Sequence, residues 1–292
     1  MIRLLYLCSS LFVFAAGTYY WNTPWSSISK KIPTFNTPQC KQTYLNFYKN
    51  DSIDIRVLFG YKDARPARFV ADRYEKMNFI QRLQKPCENH EVLCGFRRSL
   101  TDADQLSKFI YGPDEKLKTI LIQVKNSSVG PDDIENRRDP FQTWQSRHAQ
   151  NTFTDGLKTA DVVLYNGHSR AGGGPDFEPA RLGPNHHAAY AWYKQNQPGF
   201  RQLIQTLQTP NLRLKLLGLF SCASNKLFAE KIRKTKNQFG LITSDKLIYF
   251  ADAMDSLTET LKSLLEMKCQ PEFRQAIETP SNQAGSHFIG FF

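Results

Sequence analysis

Residues 161–175 read DVVLYNGHSRAGGGP, and the fold turns on what Val162-Val163-Leu164-Tyr165 forms. A short apolar run rich in β-branched and aromatic residues, closed by Asn166-Gly167, predicts a strand. LRLKLLGLF (212–220) is a second such run and leads directly into Ser221-Cys222. Working outward, IDIRVLFGY (53–61), EVLCGFRRS (91–99), KTILIQVKN (118–126) and FGLITSDKLIYF (239–250) supply four further strand signals. Amphipathic stretches fall between them. One helix after residue 61 sets Val70, Tyr74 and Met77 on its apolar face. Another is expected around Leu106, Phe109 and Ile110, and SNKLFAEKIRKTK (224–236) begins at Ser224, a residue able to cap it. A last long helix aligns Met254, Leu257, Leu261 and Leu264. Alternation of this kind predicts an α/β domain. Its mostly parallel sheet of about six strands carries helices on both faces, a three-layer sandwich. In such sheets reactive groups gather at the carboxyl ends of the strands.

The chain has 292 residues, 41% hydrophobic and 22% charged, enough apolar material for a sizeable core. Its net charge of +11 is dispersed. The densest basic cluster, Lys231 to Lys236, reads as the solvated face of a helix. With no zinc finger or aromatic-basic motif beside it, no specific nucleic-acid partner is expected. MIRLLYLCSSLFVFAAG at the start has one cation, Arg3, followed by an apolar run. Residues 1–21 therefore read as a signal peptide or an N-terminal membrane anchor. Residues 22–50, proline- and Ser/Thr-rich at first, read as a linker, and 51–292 as the folded domain. The expected location is outside the cytoplasm, periplasmic, secreted or anchored to the membrane.

Of the six cysteines, Cys8 lies in the export segment. In an oxidising compartment five leave one unpaired. Cys87 and Cys94 flank a short loop, and Cys40 and Cys269 lie near the two ends of the domain, which makes Cys222 the residue left over. Four cysteines still allow three connectivities.

Gly167-His168-Ser169-Arg170-Ala171 comes close to the G-x-S-x-G of a serine hydrolase, with Asp245 or Asp252 and His287 downstream as partners. A nucleophile elbow, however, needs a helix directly after the serine. Gly172, Gly173, Gly174 and Pro175 are the worst residues for one. If His168 is the reactive group instead, it stands at the mouth of one strand and Cys222 at the mouth of the next. The residues between them suffice for one helical crossover. A sulfur nucleophile and an imidazole on one sheet edge are the parts needed for acyl transfer. The glycine run would line a substrate cleft. Asp176 is either the acidic floor of a pocket for Arg or Lys or a loop-capping residue. Adjacent His186 and His187 face different ways on a helix, so no metal site is expected.

VVLYNGHS and LLGLFSCAS together resemble the motifs of the caspase-like cysteine peptidases (caspases, legumain, gingipains; clan CD). In that family one hydrophobic strand ends in His-Gly and the next in a small residue followed by Cys. Here Ser169 and Ser221 replace the usual small neighbours. The resemblance implies a caspase–haemoglobinase-like fold, Cys222 as nucleophile, His168 as proton donor to the leaving amine, and backbone N–H groups of Cys222 and Ser169 as the oxyanion hole. It implies a protein or peptide substrate and no metal or other cofactor. A serine esterase using Ser169, or a catalytically silent binding protein of the same fold, are the alternatives.

Overall fold

Alternating burial along Ser52–Phe59 defines strand β1. Ile53, Ile55, Val57 and Phe59 point into one apolar layer, while Leu58 belongs to the other. A computed structural model describes residues 34–62, 71–88, 91–235, 238–246, 249–278 and 285–289. The other strands are β2 (Arg97–Arg98), β3 (Gln105–Tyr111), β4 (Leu117–Asn126), β5 (Val162–Asn166), β6 (Leu216–Phe220), β7 (Gly240–Ser244) and β8 (Ser286–Ile289). They form one sheet in the order β2-β3-β4-β1-β5-β6-β7-β8. The five strands from β4 to β7 in that order are mutually parallel, and β2, β3 and β8 are antiparallel additions at the edges. Every residue of β5, β6 and β7 is buried, as expected of parallel strands covered on both sides.

Helices cover each face. On one side lie α1 (Pro38–Phe47), α2 (Asp72–Gln84), α8 (Phe250–Leu265) and α9 (Gln270–Glu278). On the other lie α4 (Gln142–Thr159), α6 (Pro198–Leu207) and α7 (Glu230–Arg233). Two short helices, α3 (Asp133–Arg138) and α5 (Tyr190–Asn196), occupy the connections. Among the described residues no helix is long and apolar enough to cross a membrane; the expected signal peptide or anchor, residues 1–21, lies outside them.

The sheet has eight strands rather than about six, because two were not expected. The segment around Leu106, Phe109 and Ile110 is strand β3, not a helix. Its buried positions Leu106, Lys108 and Ile110 alternate, but the lysine among them hides the period. Lys108 Nζ donates to the carbonyls of Val92 and Cys94, at 2.9 and 2.8 Å, and so holds down the loop that was expected to be a longer β2. The expected face of α2 is also wrong. Phe79, Ile80 and Leu83 are buried and Met77 is exposed, while Val70 lies outside the described residues. Finally, the end of the expected linker is structured. Thr37 caps α1 through its side chain, and Cys40, Tyr44 and Phe47 enter the core.

Both expected disulfides are present, Cys40–Cys269 and Cys87–Cys94, with Cys222 outside them. Two such bonds indicate an oxidising, exported environment.

At the amino edge of the sheet the fully buried Asp161 sets the alignment of three strands. Its carboxylate accepts the Asp54 N–H of β1 at 3.0 Å and pairs with Arg213 at 2.6 Å and Lys215 at 3.1 Å. Its carbonyl accepts the N–H groups of Lys215 and Leu216 as β6 begins. Asp161→Asn keeps the shape but leaves two cations without a buried counter-charge. A loss of about 3 kcal/mol in a denaturant melt is expected, toward the lower end for broken buried pairs because both cations are partly solvated.

Candidate active site at the carboxyl edge

Strands β5 and β6 end in step. Asn166 pairs with Phe220, and the Gly167 N–H donates to the Phe220 carbonyl at 3.3 Å, extending the pairing one residue further. His168 and Cys222 each follow that pair by two residues, so the chain brings both to the same rim, and both are half-buried. Neighbouring strands are about 4.8 Å apart.

The turn carrying His168 is braced from beneath. The Tyr165 hydroxyl donates toward the His168 carbonyl, 3.0 Å away, and accepts the Asp176 N–H at 2.8 Å. Gly60 and Gly167 are required here, since a β-carbon on either would fall on that hydroxyl. The imidazole lies edge-on to Phe250, with centroids 5.9 Å apart.

Directly after Cys222 the chain reverses. Ala223 adopts a left-handed φ of 51°, and its N–H donates to the Lys246 carbonyl at 2.8 Å. A wide π-turn, Asn225–Ala229, then runs into α7. Non-glycine residues at positive φ and π-turns both concentrate at functional sites. Ser224 does not cap this helix. Its hydroxyl donates to the Leu219 carbonyl and accepts the Ser244 N–H, each at 2.8 Å, tying the ends of β6 and β7 together. The strand–tight turn–helix arrangement thus belongs to Cys222. Ser169 is followed by Arg170 and Ala171 at positive φ and a single 3-10 turn, Arg170–Gly172. No α-helix begins before Tyr190. Of the serine's expected partners, Asp245 accepts the Asn225 amide at 2.6 Å; the His287 side chain lies outside the described residues.

Gly172, Gly173 and Gly174 are buried behind the rim. The Gly173 carbonyl accepts the Phe200 N–H at 2.8 Å, and a side chain at Gly174 would collide with that amide. Gly172 lies nearest Leu227 and Gln197. The run seats α6 instead of lining an open cleft. Asp176 is engaged by the chain itself: it pairs with the buried Arg170 at 2.6 Å and accepts the Glu178 N–H.

Three residues at the rim, Lys62, Asp72 and Glu75, went unread in the sequence. Lys62, just beyond β1, is buried, and its ammonium meets Glu75 at 2.5 Å and the Asn166 Oδ1 at 2.8 Å. It also lies 4.6 Å from the Phe250 centroid. Glu75 Oε1 and Asn166 Nδ2 are buried with no hydrogen-bond partner among the described residues. Burial pushes the Glu75 carboxyl up to about 7, against the opposing pull of Lys62. Beside it the buried Asp72 accepts the Ser127 and Ser128 N–H groups, both at 2.7 Å. A lysine following a strand and acids opening a helix look like ordinary surface residues in a sequence, so nothing there signals the cluster.

Although part of its ring reaches solvent, His168 is hemmed in by protein. Burial first, then the cations Arg170 and Lys62, push its pKa down to about 3. The imidazole is therefore neutral at physiological pH. Compared with family models, curated proteins and solved structures, the chain matches none.

An NMR titration of the His168 ring should give a midpoint near 3. In a Lys62→Met/Glu75→Gln variant the midpoint should rise, since one of the two cations has gone. The unfolded ring protonates near pH 6.5. The stability that comes from keeping it neutral is hence present above about 6.5 and lost as pH falls toward 3.

Proposed function

We propose that the protein is an exported cysteine peptidase of the caspase-like type, hydrolysing amide bonds in a protein or peptide with Cys222 and His168. The observation that carries this is the parallel pairing of Asn166 with Phe220, beyond which the two residues follow in register. The strand–turn–helix at Cys222, absent at Ser169, favours sulfur over oxygen as nucleophile. Residues 1–21 would direct export and, left uncleaved, anchor the enzyme to the membrane.

A neutral imidazole sets the order of proton movements. As the Cys222 sulfur bonds to the substrate carbonyl carbon, its proton passes to the free ring nitrogen of His168. The carbonyl π-electrons move onto oxygen. That oxyanion accepts from the backbone N–H groups of Ser169 and Cys222; the Ser169 N–H makes no hydrogen bond within the described residues. The carbonyl re-forms, the C–N bond breaks, and His168 returns the proton to the departing amine. Water then attacks the thioester carbonyl and loses a proton to His168. The sulfur leaves and takes that proton back. A ring this weakly basic does not store a thiolate–imidazolium pair, so proton transfer accompanies bond formation instead of preceding it.

An irreversible thiol-directed peptidyl probe should label Cys222, and His168→Ala should slow labelling by at least about a hundredfold. Labelling of a fluorophosphonate at Ser169 would point to an esterase, and silence toward both probes to a binding protein.

A further inference from the structure

The unburied flank of α2 overhangs the β2–β3 edge of the sheet and forms the wall of a groove of about 660 Å³. Arg73, Lys76, Met77, Ile80, Gln81 and Gln84 follow one another at helical spacing along this wall, roughly 16 Å from end to end. Arg98 stands on the opposite side. It pairs with Leu106, which in turn pairs with Ile122, so it lies four residues back along β4 from Asn126, at the closed end of the sheet edge. Asn126 and Ser128 form the other end. The groove therefore starts at the carboxyl rim and runs along the sheet edge, long enough for about five residues of extended chain.

Its charge is one-sided. Arg73, Lys76 and Arg98 face a single acid, Asp104, and that carboxylate is already shared between Lys76 at 2.6 Å and Lys125 at 3.0 Å. Arg73 and Arg98 are exposed and have no ion-pair partner among the described residues. Exposed Met77 adds an apolar contact, the mostly buried Ile80 forms the floor beside it, and Gln81 and Gln84 offer amide groups suited to a peptide backbone.

The groove also opens onto the reactive rim. Asn126, Phe59 and Asn166 lie in one register row, so its mouth is two strand spacings, roughly 10 Å, from the strand that carries His168. An extended chain covers that span in about three residues.

The geometry points to a binding site for an acidic peptide segment, an exosite that takes the part of a substrate a few residues from the bond to be cut. Only the word substrate rests on the peptidase proposal; binding itself does not need Cys222.

The test uses the full chain carrying Cys222→Ser and a fluorescein-labelled pentaglutamate, with polarisation read at 150 mM salt. Saturable binding is expected, at least tenfold tighter than for pentaglutamine. R73Q/R98Q should weaken it at least tenfold, whereas the same charge change at exposed sites on the other face, K158Q/R233Q, should leave it within twofold. On the unsubstituted groove, a benzophenone-bearing pentaglutamate should cross-link within residues 73–84. Equal binding of pentaglutamine, an equal loss in K158Q/R233Q, cross-links elsewhere, or equal competition by a single-stranded oligonucleotide would each overturn the assignment. A chain that binds pentaglutamate but resists the thiol probe keeps the groove and loses the peptidase; the reverse result does the opposite.

Discussion

Asp161 fixes the geometry on which the rim depends. Parallel strands buried on both faces have no solvent side to specify their pairing. A register slip of one residue would exchange their two apolar layers at little cost in hydrophobicity. A buried carboxylate that binds an early amide of one neighbour and two cations leading into the next removes that freedom. The alignment it sets at the amino edge carries along five residues to the pairs Phe59–Asn166 and Asn166–Phe220, and so to the relative positions of His168 and Cys222. A polar contact far from the chemistry thus decides where an imidazole and a sulfur come to stand.

The apolar central strands were legible because a fully buried parallel strand is a plain apolar run with glycine at its end. The disulfide pairing was legible in part: the short loop between Cys87 and Cys94 and the nearness of Cys40 and Cys269 to the two ends of the domain pointed to the pairs that formed, although three connectivities stood open. What escaped was wherever a charged side chain does a core residue's work. Lys108 occupies an inward position of β3 and breaks the alternation that would have identified it. Lys62, Asp72 and Glu75 are buried but look solvent-facing in sequence. The glycine run was correctly placed beside the rim, but in sequence a pliable loop and a tight seat for a helix look alike. Likewise Asp176 was visible as an acid near the site, whereas its partner Arg170 became apparent only from the fold.

The rim joins two contrasting electrostatic settings. Around His168 the cations Lys62 and Arg170 are locked into internal pairs with Glu75 and Asp176, and they keep the ring neutral without being available to a ligand. Two strands away the groove presents cations that are open to solvent. One group of charges tunes a proton acceptor; the other is placed to meet something from outside.

The bond between Cys40 and Cys269 has a mechanical side. Helix α1 follows the stretch expected to serve as export segment and linker, and its first turn is joined covalently to the chain just before α9. If the enzyme is held at a surface by its leading residues, tension along that leash passes through sulfur into the far end of the polypeptide. The hydrophobic contacts of α1 do not have to resist it alone. Under such a load the domain can be tugged without its first helix peeling away.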